Sequence, residues 1–334
     1  MRAIVTGANG FIGSHLAHRL AREGLEVACL VRPAADVKWL QGLGVEVVRV
    51  CMEEGESLAR ALTEMGGADI IFHVAGLTRG RTEQEYTAVN VDLTRRLMQA
   101  AAPCAGRIRR FIYVSSMAAV GPNPTDAPMD EATPPRPVDH YGRSKLAAER
   151  VVMEAGGRIP VTIVRPPAVY GPRDVHFVPL FRMAQRWGIV PAVGGRDKRI
   201  TFVHAADLAE GVWLAGTRPE GAGQTYFIGG GTCTMEDVAA AMSAAIGRQL
   251  RVFHVPKAYA LLVGEFGQLK WALTGRPQIV SRAKARDLLR PRWTCCWDKA
   301  CRELGYVPRI GLEEGMRQTA AWYAQQGWIR PLCA

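Results

Sequence analysis

The chain of 334 residues predicts a doubly wound α/β fold, one parallel sheet with helices on both faces, joined to a smaller, partly interleaved and mostly helical second domain. Two observations carry this. Short runs rich in β-branched and apolar residues recur at 3–6, 27–31, 45–50, 70–74, 111–115 and 161–165. Helical patterns separate several of them, at Phe11–Arg22, 84–102 and 141–154. Strands apolar along their whole length are covered on both sides, and alternation with helices makes the sheet parallel.

Beyond Arg165 the alternation stops. Pro166, Pro167, Gly171 and Pro172 disfavour a helix and mark a departure from the sheet edge. Further strands are expected at 201–203 and 225–228, and helices at Met235–Ile246, 259–273 and 312–326. The first domain is therefore drawn over 1–169 and 201–230, the second over 170–200 and 231–334. No internal repeat is visible.

Composition excludes several classes. The chain is long enough for a substantial core, and an apolar fraction of 48% without low-complexity tracts argues against disorder. The most apolar stretch, 258–273, carries Glu265 and Lys270, so no membrane span is expected. The sequence opens on a strand pattern without a leader before it, which makes a cytoplasmic location the default expectation. Eight cysteines are scattered; the one cluster, Cys295, Cys296 and Cys301, lacks C-x-x-C spacing and a nearby histidine. Reduced, mostly buried thiols are expected there, and no metal. The net charge of +11 is spread, with mild runs at 107–110 and 282–292, and reads as a solvated basic surface with no nucleic-acid partner. A phosphate-rich ligand accounts for part of the excess.

Directly after the first strand come Gly7, Ala8, Asn9, Gly10, Phe11, Ile12 and Gly13, opening a helix. Glycines there permit a tight turn, backbone approach to a pyrophosphate and close helix–strand packing. The helix N-terminus adds unpaired amides and the positive end of its dipole. This is the dinucleotide loop of a Rossmann domain. An acidic residue ending the second strand would accept hydrogen bonds from the ribose 2′-hydroxyl of NAD(H). Here stands Arg32, suited to a 2′-phosphate, so NADP(H) is favoured and NAD(H) kept as the alternative; Arg32 as a solvent-facing turn residue is the competing reading.

Tyr141 and Lys145 lie four residues apart at the start of a helical pattern, hence on one face. A phenol titrates near pH ~10 and is a poor base until a neighbouring ammonium lowers it. With such help Tyr141 exchanges a proton with a substrate hydroxyl or carbonyl while hydride passes to or from a nicotinamide. Ser115 and Ser116 end the 111–115 strand, on the carboxyl edge where such sheets hold ligands, so a hydroxyl there can bind the reacting oxygen.

With these residues in order, the sequence resembles the extended short-chain dehydrogenase/reductase family of epimerases, dehydratases and hydroxysteroid dehydrogenases. The resemblance runs through Thr6 to Gly13, His73 to Gly76, Asn90, Val114 to Ser116, Tyr141 to Lys145, Arg165 to Pro172, Phe202 to His204 with Asp207, and Leu304 to Pro308. It implies a triad of Ser116, Tyr141 and Lys145 supported by Asn90, and a cofactor lined by Ala75, Gly76 and Pro167, with Lys145 on the ribose. A homodimer built from the 84–102 and 141–154 helices is implied as well, with Ala147, Ala148, Val151 and Val152 suited either to it or to packing on the sheet. Departures narrow the branch. Met117 and Ala118 replace the Asp-Glu pair of dehydratases, and Ala168 and Ile200 replace the asparagine and arginine that hold nucleotide sugars. Arg199, one position from Ile200, points to the other face of a strand. Cys51 stands where relatives carry an adenine-binding aspartate.

The pattern is similar to the branch of 3β-hydroxysteroid dehydrogenases and dihydroflavonol reductases. It implies carbonyl–alcohol redox chemistry on a moderately large hydrophobic small molecule. A nucleotide-sugar 4-epimerase with retained NAD is the alternative, and a non-catalytic cofactor sensor a third reading. Leu261, Leu262, Val263, Phe266 and Trp271 suit a lipophilic pocket wall, though domain core is the expected role for most of them.

Overall fold

A computed structural model describes residues 1–274, 285 and 288–331; part of the 282–292 basic run and Cys333 lie outside them. Seven parallel strands form the main sheet: β1 (Arg2–Thr6), β2 (Glu26–Val31), β3 (Glu46–Arg49), β4 (Ile70–His73), β5 (Arg110–Val114), β6 (Val161–Arg165) and β10 (Thr225–Phe227), in the order β10-β6-β5-β4-β1-β2-β3. β1 is flanked by β2 and β4, with Thr6 in register with both Leu30 and His73. The connections from β1 and β4 therefore leave in opposite directions, which opens a crevice between their carboxyl ends.

Both faces are covered, as the apolar strands require. On one, α1 (Phe11–Arg22) and α7 (Ala205–Thr217) pack over Val5, Cys29, Phe72 and Ile112. On the other, α2 (Gly55–Glu64), α4 (Leu93–Ala101) and α5 (His140–Glu154) pack over Ile4, Ile71, Phe111 and Tyr113. β3 departs from the expectation of full burial. Glu46, Val47 and Arg49 are exposed, because β3 is the sheet's edge.

The strand expected at 201–203 is β9 (Arg199–His204), which joins a separate small sheet with β7 (Ala168–Tyr170), β11 (Gly231–Cys233) and β13 (Arg292–Trp293). A parallel pair, β8 (Ile189–Val193) with β12 (Arg251–Val255), and the helices α6 (Val178–Trp187), α8 (Met235–Ile246) and Leu312–Gln325 complete this region around Phe181, Met242, Met316 and Tyr323. The sequence patterns did not single out α2, α6, α7, β8 or β12. The helix α9 (Lys257–Thr274) follows β12. Leu262, Val263 and Phe266 on it are exposed, against the expectation that they fill the domain core; Trp271 is buried.

The helix expected over 84–102 is interrupted. α3 (Glu83–Tyr86) passes through a π-helical turn, Thr87–Asp92, before α4. Asn90 sits in that turn with its side chain committed to a neighbouring loop, a geometry that a periodic pattern does not reveal. The seven described cysteines are free; Cys29 and Cys295 are buried and the other five half-buried, fewer fully enclosed thiols than expected.

Candidate active site

The loops after β1 and β4 touch at the crevice. Gly7 has φ of 69°, and a Cβ there would lie 2.7 Å from both Cα and N of Ala75. The Gly10 amide donates to the Gly7 carbonyl at 3.0 Å, and a Cβ on Gly13 would lie 2.1 Å from that same oxygen. The turn is therefore closed around glycines, and it leaves Gly10 exposed before the first turn of α1, with Asn9, Phe11 and Ile12 half-buried around it. Thr6 ties the two loops, its hydroxyl accepting from the Ala75 amide at 3.2 Å and meeting His73 Nδ1 at 2.7 Å. Burial holds the His73 imidazole far below its usual range, at about 3, so it is a neutral hydrogen-bonding strut whose other nitrogen meets Thr94 at 2.9 Å.

Asn90 clamps the far side. Its Oδ1 accepts from the Leu77 amide at 2.7 Å, and its Nδ2 donates to the Leu77 carbonyl at 3.0 Å and to Ser144 Oγ at 2.8 Å. One buried amide thus fixes the loop carrying Ala75 and Gly76 against the helix carrying Tyr141 and Lys145. A methyl group on Gly76 would come within 3.1 Å of Asn90 Oδ1 and 3.7 Å of Lys145 Nζ, so Gly76 leaves the space beside the amine open.

Ser116 follows β5 and caps a short turn, its Oγ accepting from the Ala118 amide at 3.1 Å. Asp139 caps α5 by accepting from the Gly142 amide at 2.7 Å, which starts the helix one residue before Tyr141. The Ser116 hydroxyl neighbours the Tyr141 phenol. Burial pushes the phenol up to about 12, with Ser116 opposing the rise. The expected lowering by Lys145 does not enter this balance. The Lys145 amine instead donates to the Val114 carbonyl at 2.7 Å and lies 4.2 Å from the centre of the Tyr113 ring. Burial brings it down to about 7, with Glu149 pulling the other way. Pro167 is buried past β6, and the Pro166 carbonyl accepts from the Met117 amide at 2.9 Å, so this segment adjoins the Ser116 turn.

Ser115 has a different role from the one its position suggested. It is buried and donates to Glu149 Oε1 at 2.5 Å, while Arg165 meets the same carboxylate through Nε at 3.0 Å and Nη2 at 2.7 Å. Ser116 alone of the two serines faces the phenol.

Gly142 also went unnoticed in the sequence. A Cβ there would lie 2.3 Å from the Ala118 carbonyl oxygen and 3.1 Å from Pro137 Cβ. The absent side chain lets α5 approach the Ser116 turn closely enough for the phenol to reach the serine. Gly142→Ala is expected to lower kcat by about tenfold or more while leaving the glycine loop intact, since a small misplacement of a reacting group is costly. Steady-state kinetics beside dinucleotide titration checks this.

These residues fit a dinucleotide. The glycine cradle would be filled by any Cβ, and the exposed Gly10 leaves amides of α1 free to meet phosphate. Arg32 is exposed at the end of β2, and Arg49 ends β3 beside it, donating to the carbonyls of Pro33 and Ala35 (3.2 Å to the latter). Among the described residues, no three His, Cys, Asp or Glu side chains are grouped to hold a metal. Ile200 packs into the small-region core while Arg199 is exposed, as expected of alternate strand positions.

Known proteins agree with this architecture. Residues 3–229 match the NAD dependent epimerase/dehydratase family. The ceramide reductase of Caulobacter vibrioides is 31% identical over 97% of this chain and 95% of its own length. The 4-hydroxy-2-methyl-3-oxo-4-farnesyl-3,4-dihydroquinoline-1-oxide ketoreductase of Stigmatella aurantiaca is 31% identical over 95% of both. In fold, the chain is similar to the UDP-glucuronic acid 4-epimerase of Bacillus cereus, solved with UDP-glucuronic acid and NAD, with a TM-score of 0.77 at 22% identity over 98% of this chain and all of that one. The crossed loops at the β1–β4 crevice and these relatives lead to one conclusion: the chain is an enzyme of the extended short-chain dehydrogenase/reductase type and belongs to the NAD-dependent epimerase/dehydratase family.

Proposed function

We propose that this enzyme interconverts a ketone and a secondary alcohol on a moderately large hydrophobic molecule, with Ser116, Tyr141 and Lys145 as its catalytic triad. The single observation that carries the reading is the Tyr141 phenol set beside the Ser116 hydroxyl, with Lys145 one helical turn away and its amine against Gly76. A bound nicotinamide dinucleotide supplies or accepts the hydride. Ser116 and Tyr141 hold the substrate oxygen between two hydroxyls. As that oxygen gains charge, the Tyr141 hydroxyl gives it a proton. A phenol near 12 stays protonated across the neutral range, which suits it to donate its proton in the reductive direction. Lys145, whose amine donates to the Val114 carbonyl, would hold the ribose of a bound dinucleotide and stabilise the phenolate left behind. Asn90 is a positioning residue that fixes the Gly76 loop against this helix.

Substrate class rests on what the site lacks. Met117 and Ala118 supply no acid–base pair for water elimination. Ile200 faces the core of the small region without a charge for a diphosphate. Both named relatives are reductases of lipophilic molecules by their names, in line with this reading. We further assign NADP(H) as the preferred cofactor, because Arg32 stands at the end of β2 where an acidic residue would hold the ribose of NAD(H), with Arg49 bordering the same turn. A homodimer is proposed through α4 and α5. Ala148 and Val152 are buried in the core, so the contact would use the half-open Ala147 and Val151 and the exposed Met153. The proposed location is cytoplasmic.

The test is reduced-cofactor oxidation with a panel of aryl, alkyl and sterol-like ketones, alongside titration with UDP-glucose. Turnover of apolar ketones with NADPH is expected, without micromolar binding of the UDP-sugar. Arg32→Asp is expected to raise KM for NADPH about tenfold and to leave NADH little changed. Tight UDP-sugar binding, or no turnover of any ketone, would overturn the reading.

A further inference from the structure

The outer face of α9 is apolar and open to solvent. Tyr259, Leu262, Val263, Phe266, Leu269 and Leu273 are 37–77% exposed, with Phe266 at 70% and Leu273 at 77%. Steps of three and four residues put them in one stripe along a helix about 27 Å long. Ala260, Gly264 and Trp271 are buried and hold the helix to the protein by its other side. A contiguous apolar stripe on a soluble domain marks a contact surface.

Charge decides the occupant. The described residues between Arg251 and Arg292 carry Arg251, Lys257, Lys270, Arg290 and Arg292 against Glu265. Of these, Arg251, Lys257, Lys270 and Arg290 are exposed. A second copy of the chain would bring the same basic segment against itself, since a two-fold contact pairs a patch with its own mate. An anionic bilayer offers the opposite charge at its surface and an apolar layer just below it. Lys270, four residues from Phe266 and three from Leu273, flanks the stripe, placed for its ammonium group to reach headgroups while the rings and leucines enter the acyl boundary. Among the described residues no helix is long and apolar enough to cross a membrane, so this contact is interfacial.

We propose that α9 docks the enzyme on anionic lipid surfaces, with Leu262, Phe266, Leu269 and Leu273 inserted and the basic residues around them meeting headgroups. The proposal does not depend on the redox reading of the active site. It is tested by co-sedimentation of the full chain with phosphatidylcholine vesicles containing about 30% phosphatidylglycerol, against phosphatidylcholine alone. Binding to the anionic vesicles is expected, and it should weaken as salt is raised. Phe266→Asp with Leu269→Asp should reduce it about tenfold or more, and Lys270→Gln about fivefold. All substituted side chains are exposed, so the thermal transition should stay near that of the parent. The proposal fails if the parent chain does not bind anionic vesicles, or if binding ignores both lipid charge and these substitutions. A self-association that Phe266→Asp abolishes, without vesicle binding, would reassign the stripe to a second copy.

Discussion

Tyr141→Phe is expected to lower kcat for ketone reduction by about three orders of magnitude with little change in dinucleotide affinity. The ring fills the same space, so α5 and the Ser116 turn keep their places. What disappears is the hydroxyl beside Ser116 that, in the proposed mechanism, delivers the proton. In the parent enzyme the phenol, raised to about 12 by burial, remains the acid through neutral pH. The reductive rate should therefore have no tyrosine-controlled limb between pH 6 and 9. Oxidation of the alcohol needs the phenolate, and its rate should climb with pH over that range. Rates in both directions for parent and variant check this. Full activity in the variant would remove Tyr141 from the mechanism.

The second large effect is expected at Glu149. Its carboxylate is buried and receives Arg165 through two bonds and Ser115 through a third. Removing it leaves a buried guanidinium unpaired, at a cost of about 3–5 kcal/mol. Glu149→Ala should show this as a lower denaturant midpoint, with Glu149→Gln retaining part of the hydrogen bonding and losing less. Glu149 also lies one turn beyond Lys145 and raises its pKa against the effect of burial. The lysine falls from 10.5 to about 7 on folding, so the unfolded chain binds more protons between those values. Its burial cost is fully present below pH 7 and is relieved as pH rises from about 7 towards 10.5. In Glu149→Gln the amine should titrate lower still, moving the start of that relief to lower pH. Urea midpoints at a series of pH values follow it, and an unchanged profile would remove Glu149 from any influence on the amine.

Much of the fold was readable because its signals are local. Strand runs such as 70–74 and the pattern Phe11–Arg22 need only periodicity, and α1 follows its expected bounds. The glycine loop was legible because a turn packed against Ala75 tolerates no other residue at Gly7. What escaped depends on approach between distant segments. Gly142 looks like an ordinary small residue until Ala118 is placed against it. Ser115 and Ser116 are equivalent in sequence, and only strand alternation and Glu149 separate a buried brace from the partner of the phenol. Asn90 was expected to support the site, but not the inserted helical turn that lets its amide reach both the Leu77 loop and α5. The exposed stripe of α9 was misjudged because an apolar residue carries no mark of what will cover it.

The position of β10 bears on how the chain is made. It pairs with β6 in register from Thr225 with Ile163 to Phe227 with Arg165, about sixty residues after the chain leaves that strand. During synthesis from the N-terminus, the first six strands emerge with the outer edge of β6 still bare. Val161 and Ile163 turn backbone groups to that edge, where Gly223 and Gln224 later bond them, and an unpaired edge invites strands from neighbouring nascent chains. The intervening β9 and α7 must emerge before the edge is sealed, which gives the last strand of the sheet a protective duty separate from catalysis.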